Sequence, residues 1–189
     1  MPVETEIKLR FDDFDALRRA LTEAGAACSG CVVETNWFFD RPDGSLRAAD
    51  KGLRIRAAEA DDGSERPTML TYKGPSEPGP IRRRPEIELA VSDADTARDV
   101  LLATGFVEVL VYQKRRESWR LASCRVELDD VPELGRFVEI EGPDRHAVAD
   151  VQQRLALDAA PAVEPTYAAM MLDHVRTANV SPPHVMLNR

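Results

Sequence analysis

Charged side chains at alternate positions in strand-like segments are the residues of this chain that could do chemistry. The first such segment, Val3 to Leu9, reads V-E-T-E-I-K-L. Successive side chains of a strand point to opposite faces, so Glu4, Glu6 and Lys8 share one face. Carboxylates bind hard divalent cations, whereas Lys and Arg bind phosphate oxygens. The segment therefore raises the hypothesis of a surface that binds phosphates together with metal ions.

The same period of two recurs in six further segments of the chain. The positions are Arg54 and Arg56; Thr71 and Lys73; Arg82, Arg84, Glu86 and Glu88; Lys114 and Arg116; Glu127 and Asp129; and Glu139 and Glu141. Together with the first segment, eight acidic and eight basic side chains lie on like-patterned strand faces, and the opposite faces are mostly apolar. For any single strand, a sheet with one face in solvent explains this pattern equally well.

The joint pattern favours a sheet that curls into a barrel. Amphipathic helices need a partner for their apolar stripes, so we expect helices to cover the apolar strand faces. The charged faces then line the interior, where unpaired charges are very costly unless a strongly charged ligand binds them. Phosphates with Mg²⁺ or Mn²⁺ fit this mixture of carboxylates, Arg and Lys. An acidic scaffold domain is the alternative, and it predicts that Glu6, Arg54 and Glu139 point outward.

Composition limits the class of protein. The 189 residues, 43% of them hydrophobic, can bury the core of one domain, which we place at residues 1–176. A net charge of -8 argues against nucleic-acid binding. No apolar run approaches the roughly 20 residues of a membrane span, and no signal peptide is visible, so we expect a cytoplasmic protein. Cys28, Cys31 and Cys124 are expected to be free thiols.

Strand–helix units repeat along this domain. T-E-I-K-L-R-F-D-D-F-D-A-L-R, which begins at Thr5, aligns with P-E-I-E-L-A-V-S-D-A-D-T-A-R, which begins at Pro85. A fainter third unit begins with V-E-I-E at Val138 to Glu141. Each unit has carboxylates two positions apart, followed by a helix, so the domain is predicted to consist of pseudo-repeated halves.

Helix signals mark both ends of the domain. Asp12 or Asp13 can cap a first helix that ends at Gly25. Thr166 can cap a last helix from Tyr167 to about Arg176. Residues 177–189, which contain two prolines, are predicted to form a flexible tail.

Several motifs in a fixed order resemble those of the CYTH superfamily. They are E-T-E-I-K, L-R-I-R, T-Y-K-G-P, R-x-E-I-E, K-R-R and E-L-D-D-V-P-E-L-G-R-F-V-E-I-E. This superfamily of triphosphate tunnel metalloenzymes includes class IV adenylyl cyclases and thiamine triphosphatase. The resemblance covers Glu4 to Glu141, and Tyr167 also falls where relatives have a tyrosine. It implies an α+β fold, in which an antiparallel eight-stranded β-barrel forms the tunnel and helices pack on its outside.

The resemblance also implies residue roles. The implied metal ligands are Glu4, Glu6, Glu127, Asp129, Glu139 and Glu141. The residues implied to bind the triphosphate are Lys8, Arg54, Arg56, Lys73, Arg84, Lys114 and Arg116. Glu86 and Glu88 become tunnel acids that orient the bases, and Lys8 and Glu6 become candidates for catalysis. Pro85 departs from a regular strand, because proline cannot donate to a sheet ladder, and it predicts an edge or bulge beside Arg84.

Three functions remain open at this point. The first is metal-dependent hydrolysis of a small-molecule triphosphate, either tripolyphosphate or a nucleoside or organic triphosphate. The second is a class IV type adenylyl cyclase, which would form cyclic AMP and pyrophosphate from ATP with the same charged residues. The third is a polyphosphate-binding module without turnover, which the full set of acidic positions disfavours. Such folds can dimerise through outer helices, so a homodimer is compatible with the sequence.

Overall fold

The computed structural model describes residues 1–64 and 66–187. Its strands are β1 (Val3–Arg10), β2 (Ala27–Asp40), β3 (Gly52–Ala60), β4 (Thr68–Lys73), β5 (Arg82–Val91), β6 (Val107–Leu121), β7 (Cys124–Val131), β8 (Gly135–Glu141) and β9 (His184–Val185). Its helices are α1 (Phe14–Glu23), α2 (Ser45–Ala48), α3 (Ala94–Ala103), α4 (Arg145–Arg154) and α5 (Tyr167–Thr177).

Eight of the strands close into an antiparallel barrel. Their order is β2-β3-β4-β5-β1-β8-β7-β6, and pairing of β6 with β2 completes the circle. The seam between β2 and β6 is long, from Ala27 opposite Arg120 to Asp40 opposite Val107. The predicted α+β fold with an eight-stranded barrel is confirmed.

The repeated strand–helix units have the same local chemistry at each helix start. Asp13, Asp93 and Asp144 are the N-caps of α1, α3 and α4, and each side chain accepts a hydrogen bond from the backbone N–H three residues later. An aspartate at this position satisfies a donor that the helix itself cannot satisfy. Gly25 and Gly105 follow α1 and α3 with positive φ angles, a conformation that glycine adopts without a steric penalty.

Strand β5 changes its pairing partner at Pro85, where the sequence predicts an edge or bulge. Residues 82–85 pair with β1, whereas residues 86–91 pair with β4. Pro85 has no N–H, but its carbonyl accepts a hydrogen bond of 2.8 Å from the N–H of Gly74. The proline therefore lies where one ladder ends and the next begins, as its chemistry requires.

Helices cover most of the outer face of the barrel. Leu17 of α1 and Val151 of α4 pack with Leu9 and Ile140 in the largest core cluster, and Leu101 of α3 packs in a separate cluster. On β5, however, Ile87 and Leu89 remain 45% and 59% exposed. The expectation that helices cover every apolar strand face is therefore wrong at β5, because α3 packs over β3, on the far side of β4, instead.

Helix α5 lies against one end of the barrel. Its Tyr167, Met171 and Val175 are buried with Tyr112 and Phe137. These last two residues have the same strand parity as the charged positions, so they belong to the inner face. One end of the interior is therefore apolar and covered by α5.

The C-terminal segment is attached to the barrel as far as the structure describes it. His184–Val185 pairs in parallel with β6, and Val185 is buried beside α5. This pairing is possible because β7 does not reach the first half of β6 and leaves its edge free for β9. The flexibility of the tail stays a prediction. Residues 188 and 189 lie outside the described ranges. No helix in those ranges is long and apolar enough to cross a membrane.

The core predicts a contrast between two leucines of the barrel. Leu9→Ala should lower the free energy of unfolding by about 2–5 kcal/mol, because Leu9 is fully buried among α1, α4 and β8. The matched control Leu89→Ala should change it by no more than about 0.5 kcal/mol. Urea unfolding followed by circular dichroism measures both values, and equal losses would contradict this assignment of the core.

Candidate functional site

A cavity of about 920 Å³ lies inside the barrel. Of the thirteen predicted site residues, the twelve that line it are Glu4, Glu6, Lys8, Arg54, Arg56, Lys73, Arg84, Lys114, Arg116, Glu127, Glu139 and Glu141. The side chains of the alternating strands therefore point inward, and the scaffold alternative with outward-facing charges is wrong.

Most of the predicted metal-binding acids are engaged with bases. The Nζ atom of Lys73 lies 2.6 Å from a carboxylate oxygen of Glu4. Arg116 donates to Glu139, and Arg125 lies 2.7 Å from Glu141. Burial by itself would lower the pKa of the Lys73 amine, but the carboxylates of Glu4, Glu6 and Glu86 together outweigh it and raise that pKa. The cavity is therefore compensated internally, with acids and bases neutralising one another.

Asp129 is the predicted site residue that does not line the cavity. It is fully buried and accepts hydrogen bonds from Lys114 at 2.8 Å, Arg116 at 2.7 Å and the hydroxyl of Tyr167 at 2.9 Å. Three donors occupy its oxygens from behind the cavity surface. This geometry suits a residue that fixes two bases and the first turn of α5.

Glu6 differs from the other acids. Among the residues that the structure describes, it has no ion pair and no side-chain hydrogen bond. Burial, together with the nearby carboxylates of Glu139 and Glu4, raises the pKa of Glu6 to about 7. A buried carboxylate surrounded by like charge is a position where a cation would be stabilising.

Lys8 projects from the same strand toward the covered end of the barrel. Its Nζ donates to the carbonyl of Pro165 and lies 4.4 Å from the centroid of the Tyr167 ring. Burial is the main cause that lowers the pKa of the Lys8 amine. Lys8 is therefore held between the acids and the start of α5.

A preformed metal site is absent from residues 1–64 and 66–187, where no three Asp, Glu, His or Cys side chains converge. The donor set nevertheless fits a hard divalent cation. Glu6 makes no ion pair with the described residues, and it lies opposite Glu141 in the β1–β8 register. Two residues further along β1, Lys8 lies opposite Glu139. If the bases released Glu4 and Glu139, the carboxylates around Glu6 would offer only oxygen ligands.

Four bases on β3 and β6 form what we call the basic wall, namely Arg54, Arg56, Lys114 and Arg116. The Nη1 atom of Arg54 lies 3.4 Å from the Oδ1 atom of Asn36, and its buried Nε atom has no hydrogen-bond partner among the described residues. The same holds for the buried Nδ2 atom of Asn36. Buried donors without acceptors are costly, and Arg54 lines the cavity, so its Nε is placed to donate to a ligand.

Arg84 has a different setting. Its Nε donates to the carbonyl of Gly74 at 2.8 Å, and its Nη2 donates to the carbonyl of Asp50 at 3.0 Å. These bonds connect β5 to the two loops that flank β4 and β3. The guanidinium is thus already bonded to the backbone, unlike that of Arg54.

Sequence reasoning missed Glu34 and understated Arg82. Glu34, on β2, is buried with its carboxylate 3.5 Å from both Lys114 and Arg56. Arg82 is buried and donates to the carbonyl of Glu164 at 3.2 Å. The signal for Glu34 was present, because Glu34 and Asn36 are two positions apart in β2, the same alternation as in the charged strands.

The cavity also has an apolar stretch next to the charged one. The rings of Phe38 and Tyr112 stack with their centroids 5.7 Å apart, and Val109 and Leu172 line the cavity near them. Tyr112 is buried, whereas Val109 is only half-buried. A ligand larger than a phosphate chain could extend into this stretch.

Comparison with known proteins identifies the family. The model of the CYTH domain matches residues 2–165. The chain belongs to the CYTH family. A Methanocaldococcus jannaschii protein named "Putative adenylate cyclase MJ0240" is 30% identical over 152 residues, which are 80% of this chain and 81% of that protein. The Aeromonas hydrophila protein named "Adenylate cyclase CyaB" is 31% identical over 159 residues, which are 80% of this chain and 76% of that protein.

A solved structure is similar to this chain over most of its length. The PH1819 protein of Pyrococcus horikoshii superposes with a TM-score of 0.78 at 26% identity. The match covers 90% of this chain and 99% of that chain. The CYTH barrel described above is therefore shared over nearly its full length.

The charge balance of the basic wall predicts how stability depends on pH. Burial alone would raise the pKa of Glu34, but Lys114 and Arg116 outweigh it and hold that pKa at about 2, below the ordinary 4.5. The unfolded chain therefore takes up this proton first as the pH falls. The stabilisation is complete above about pH 4.5 and is lost toward pH 2, and it amounts to at most about 3 kcal/mol.

Urea unfolding at pH 5.5 and pH 3 checks this prediction in the wild type and in Glu34→Gln. Other carboxylates titrate in both proteins, so the difference between the two slopes isolates Glu34. We expect a steeper loss of stability in the wild type on acidification. Parallel pH profiles would show that Glu34 has an ordinary pKa.

Proposed function

We propose that this CYTH protein is a divalent-metal-dependent enzyme that processes a small-molecule triphosphate, and that its reaction is hydrolysis. The observation that supports this most directly is the presence of unsatisfied groups of both signs in one cavity. Among the described residues, no cation lies within ion-pair distance of the Glu6 carboxylate, and the Nε atom of Arg54 has no acceptor. A triphosphate with its metal ion supplies both missing partners at once.

Substrate binding would redistribute the existing ion pairs. Lys73 and Arg116, now bonded to Glu4 and Glu139, would turn to phosphate oxygens and leave those carboxylates for the cation. Glu4, Glu6, Glu139 and Glu141 would hold the metal, with Glu127 beside them, and Asp129 would keep Lys114 in place. Mg²⁺ or Mn²⁺, when bound, would neutralise phosphate charge and lower the pKa of a water ligand.

Phosphoryl transfer depends chiefly on positioning and charge stabilisation. The basic wall would bind and orient the phosphate chain, and Arg54 would add donors that have no competing acceptor. Lys8, whose pKa burial lowers, lies close enough to the acids to orient the attacking oxygen or accept its proton. Helix α5 would exclude water from the covered end of the barrel.

An adenylyl cyclase is the second candidate. Two relatives that are about 30% identical are named adenylate cyclases, and the Phe38–Tyr112 pair offers aromatic faces beside the charged stretch. Cyclisation, however, also requires a pocket that aims the ribose 3′-hydroxyl at the α-phosphate. Hydrolysis needs only groups that the charged stretch already contains, and for this reason it is the first proposal.

Product analysis tests the reaction, and Glu6→Gln tests the metal site. Purified protein with Mg²⁺ or Mn²⁺ is offered tripolyphosphate, ATP and thiamine triphosphate, and phosphate, pyrophosphate and cyclic AMP are quantified. We expect phosphate release that requires metal. Glu6→Gln should lower kcat by at least about 100-fold, because it removes a metal ligand.

The matched control is Glu59→Gln, since Glu59 is exposed and has the outward parity of β3. It should retain wild-type kcat. If the products are cyclic AMP and an equal amount of pyrophosphate, the reaction is cyclisation and the proposal of hydrolysis is wrong. Unchanged turnover in Glu6→Gln would exclude Glu6 as a metal ligand.

Two arginines of the cavity should respond differently to the same change. Arg54→Gln should raise the Kd for tripolyphosphate by about 10–100-fold, because it removes charge-assisted hydrogen bonds to phosphate. Arg84→Gln should instead lower the free energy of unfolding by about 1–3 kcal/mol, because the carbonyls of Gly74 and Asp50 lose their donor. Calorimetric titration and urea unfolding of both variants separate the effects, and a stability loss confined to Arg54→Gln would reverse the assignment.

A further inference from the structure

Glu34 is an acid within the basic wall. In the sheet register it lies opposite Lys114 on β6, and its carboxylate is 3.5 Å from the amine of Lys114 and 3.5 Å from the guanidinium of Arg56. It is 4% exposed, and its Oε2 atom has no hydrogen bond. A carboxylate in this position repels any phosphate that approaches the same bases. Glu34 therefore opposes the phosphate binding that the basic wall is proposed to provide.

Metal binding does not provide a reason for the presence of Glu34. The charged groups that most affect Glu34 are the cations Lys114, Arg116 and Arg56, followed by the buried acid Asp129. Glu34 thus faces bases, on strand β2, whereas the acids around Glu6 belong to β1 and β8.

Charge balance provides a better reason. Arg54 and Arg56 repel each other, and this repulsion is the largest cause that lowers the pKa of the Arg56 guanidinium. Glu34 offsets this repulsion when no anion is bound. A phosphate that binds to Lys114 and Arg56 must therefore replace their attraction to Glu34. Its net gain in binding free energy is smaller than it would be without that carboxylate.

We propose that Glu34 is a built-in counter-charge that competes with phosphate for Lys114 and Arg56 and keeps the site from binding its product too tightly. This inference rests on the proposed triphosphate-processing function. The ligand chemistry is a chain of phosphates, and the competition is felt by every ligand that reaches these two bases. The competition reduces the binding free energy of a short product most, because a short product contacts fewer of the remaining cations of the cavity.

Calorimetric titration without metal tests the proposal in Glu34→Gln, with tripolyphosphate and pyrophosphate as the ligands. Removing the competing charge should lower both Kd values by about tenfold or more. Glu34→Asp, which keeps the charge, should stay within about threefold of the wild type. In the metal-loaded enzyme, Glu34→Gln should lower KM and also lower kcat, with stronger inhibition by added product. A residue that merely holds the bases in place predicts the opposite sign, namely weaker binding.

A second comparison keeps the test decisive if Glu34→Gln folds poorly. The double variant Glu34→Gln/Arg56→Gln retains the charge balance of the wall. It should bind tripolyphosphate several-fold more tightly than Arg56→Gln alone, whose Kd should exceed that of the wild type. Equal affinity of the double variant and Arg56→Gln would overturn the proposal, as would an unchanged or raised Kd in a folded Glu34→Gln protein.

The outcomes distinguish this inference from the function on which it rests. Wild-type protein that binds no tripolyphosphate, with or without metal, would overturn the proposed function and this inference with it. Wild-type binding that Glu34→Gln fails to strengthen would overturn the inference alone. Tighter binding of both phosphates with a lower kcat is the result that supports it.

Discussion

The structure depends on the mutual neutralisation of charges inside a closed barrel. Buried ions are costly unless they are paired and hydrogen-bonded, and every strand from β1 to β8 contributes at least one acid or base to this interior. Asp129 illustrates the solution, because Lys114, Arg116 and Tyr167 all donate to it. Removal of one partner would leave another charge uncompensated. The interior therefore constrains the geometry of the barrel as strongly as the apolar core outside it.

This constraint explains why closure of the barrel matters for the site. The seam between β2 and β6 brings Glu34 opposite Lys114, and pairing of β6 with β7 brings Arg116 opposite Asp129. An open sheet would leave the strands at its edges without one neighbour each. Helices pack on both faces of the barrel wall. Helices α1 and α4 cover the outer apolar face, and α5 places Tyr167 against the inner face.

Much of this arrangement follows from the period of two in the sequence. Alternation predicted which side chains point inward, and the helix caps predicted where α1 and α5 begin. Pairing within the interior could not be predicted, because partners such as Lys73 and Glu4 are distant in the chain. Glu34 was missed because a lone acid in a strand resembles a surface residue, and the setting of Arg84 depends on two loop carbonyls.

The same compensation determines what a ligand can gain in free energy. A phosphate that binds Lys73 or Arg116 gains only the difference between its own attraction and that of Glu4 or Glu139. Net gain is largest where a charge has no internal partner, as at Arg54 and Glu6. A ligand of one sign would satisfy only half of these groups. A polyanion accompanied by a cation satisfies both halves, and the released acids and bases then stabilise opposite parts of the same complex.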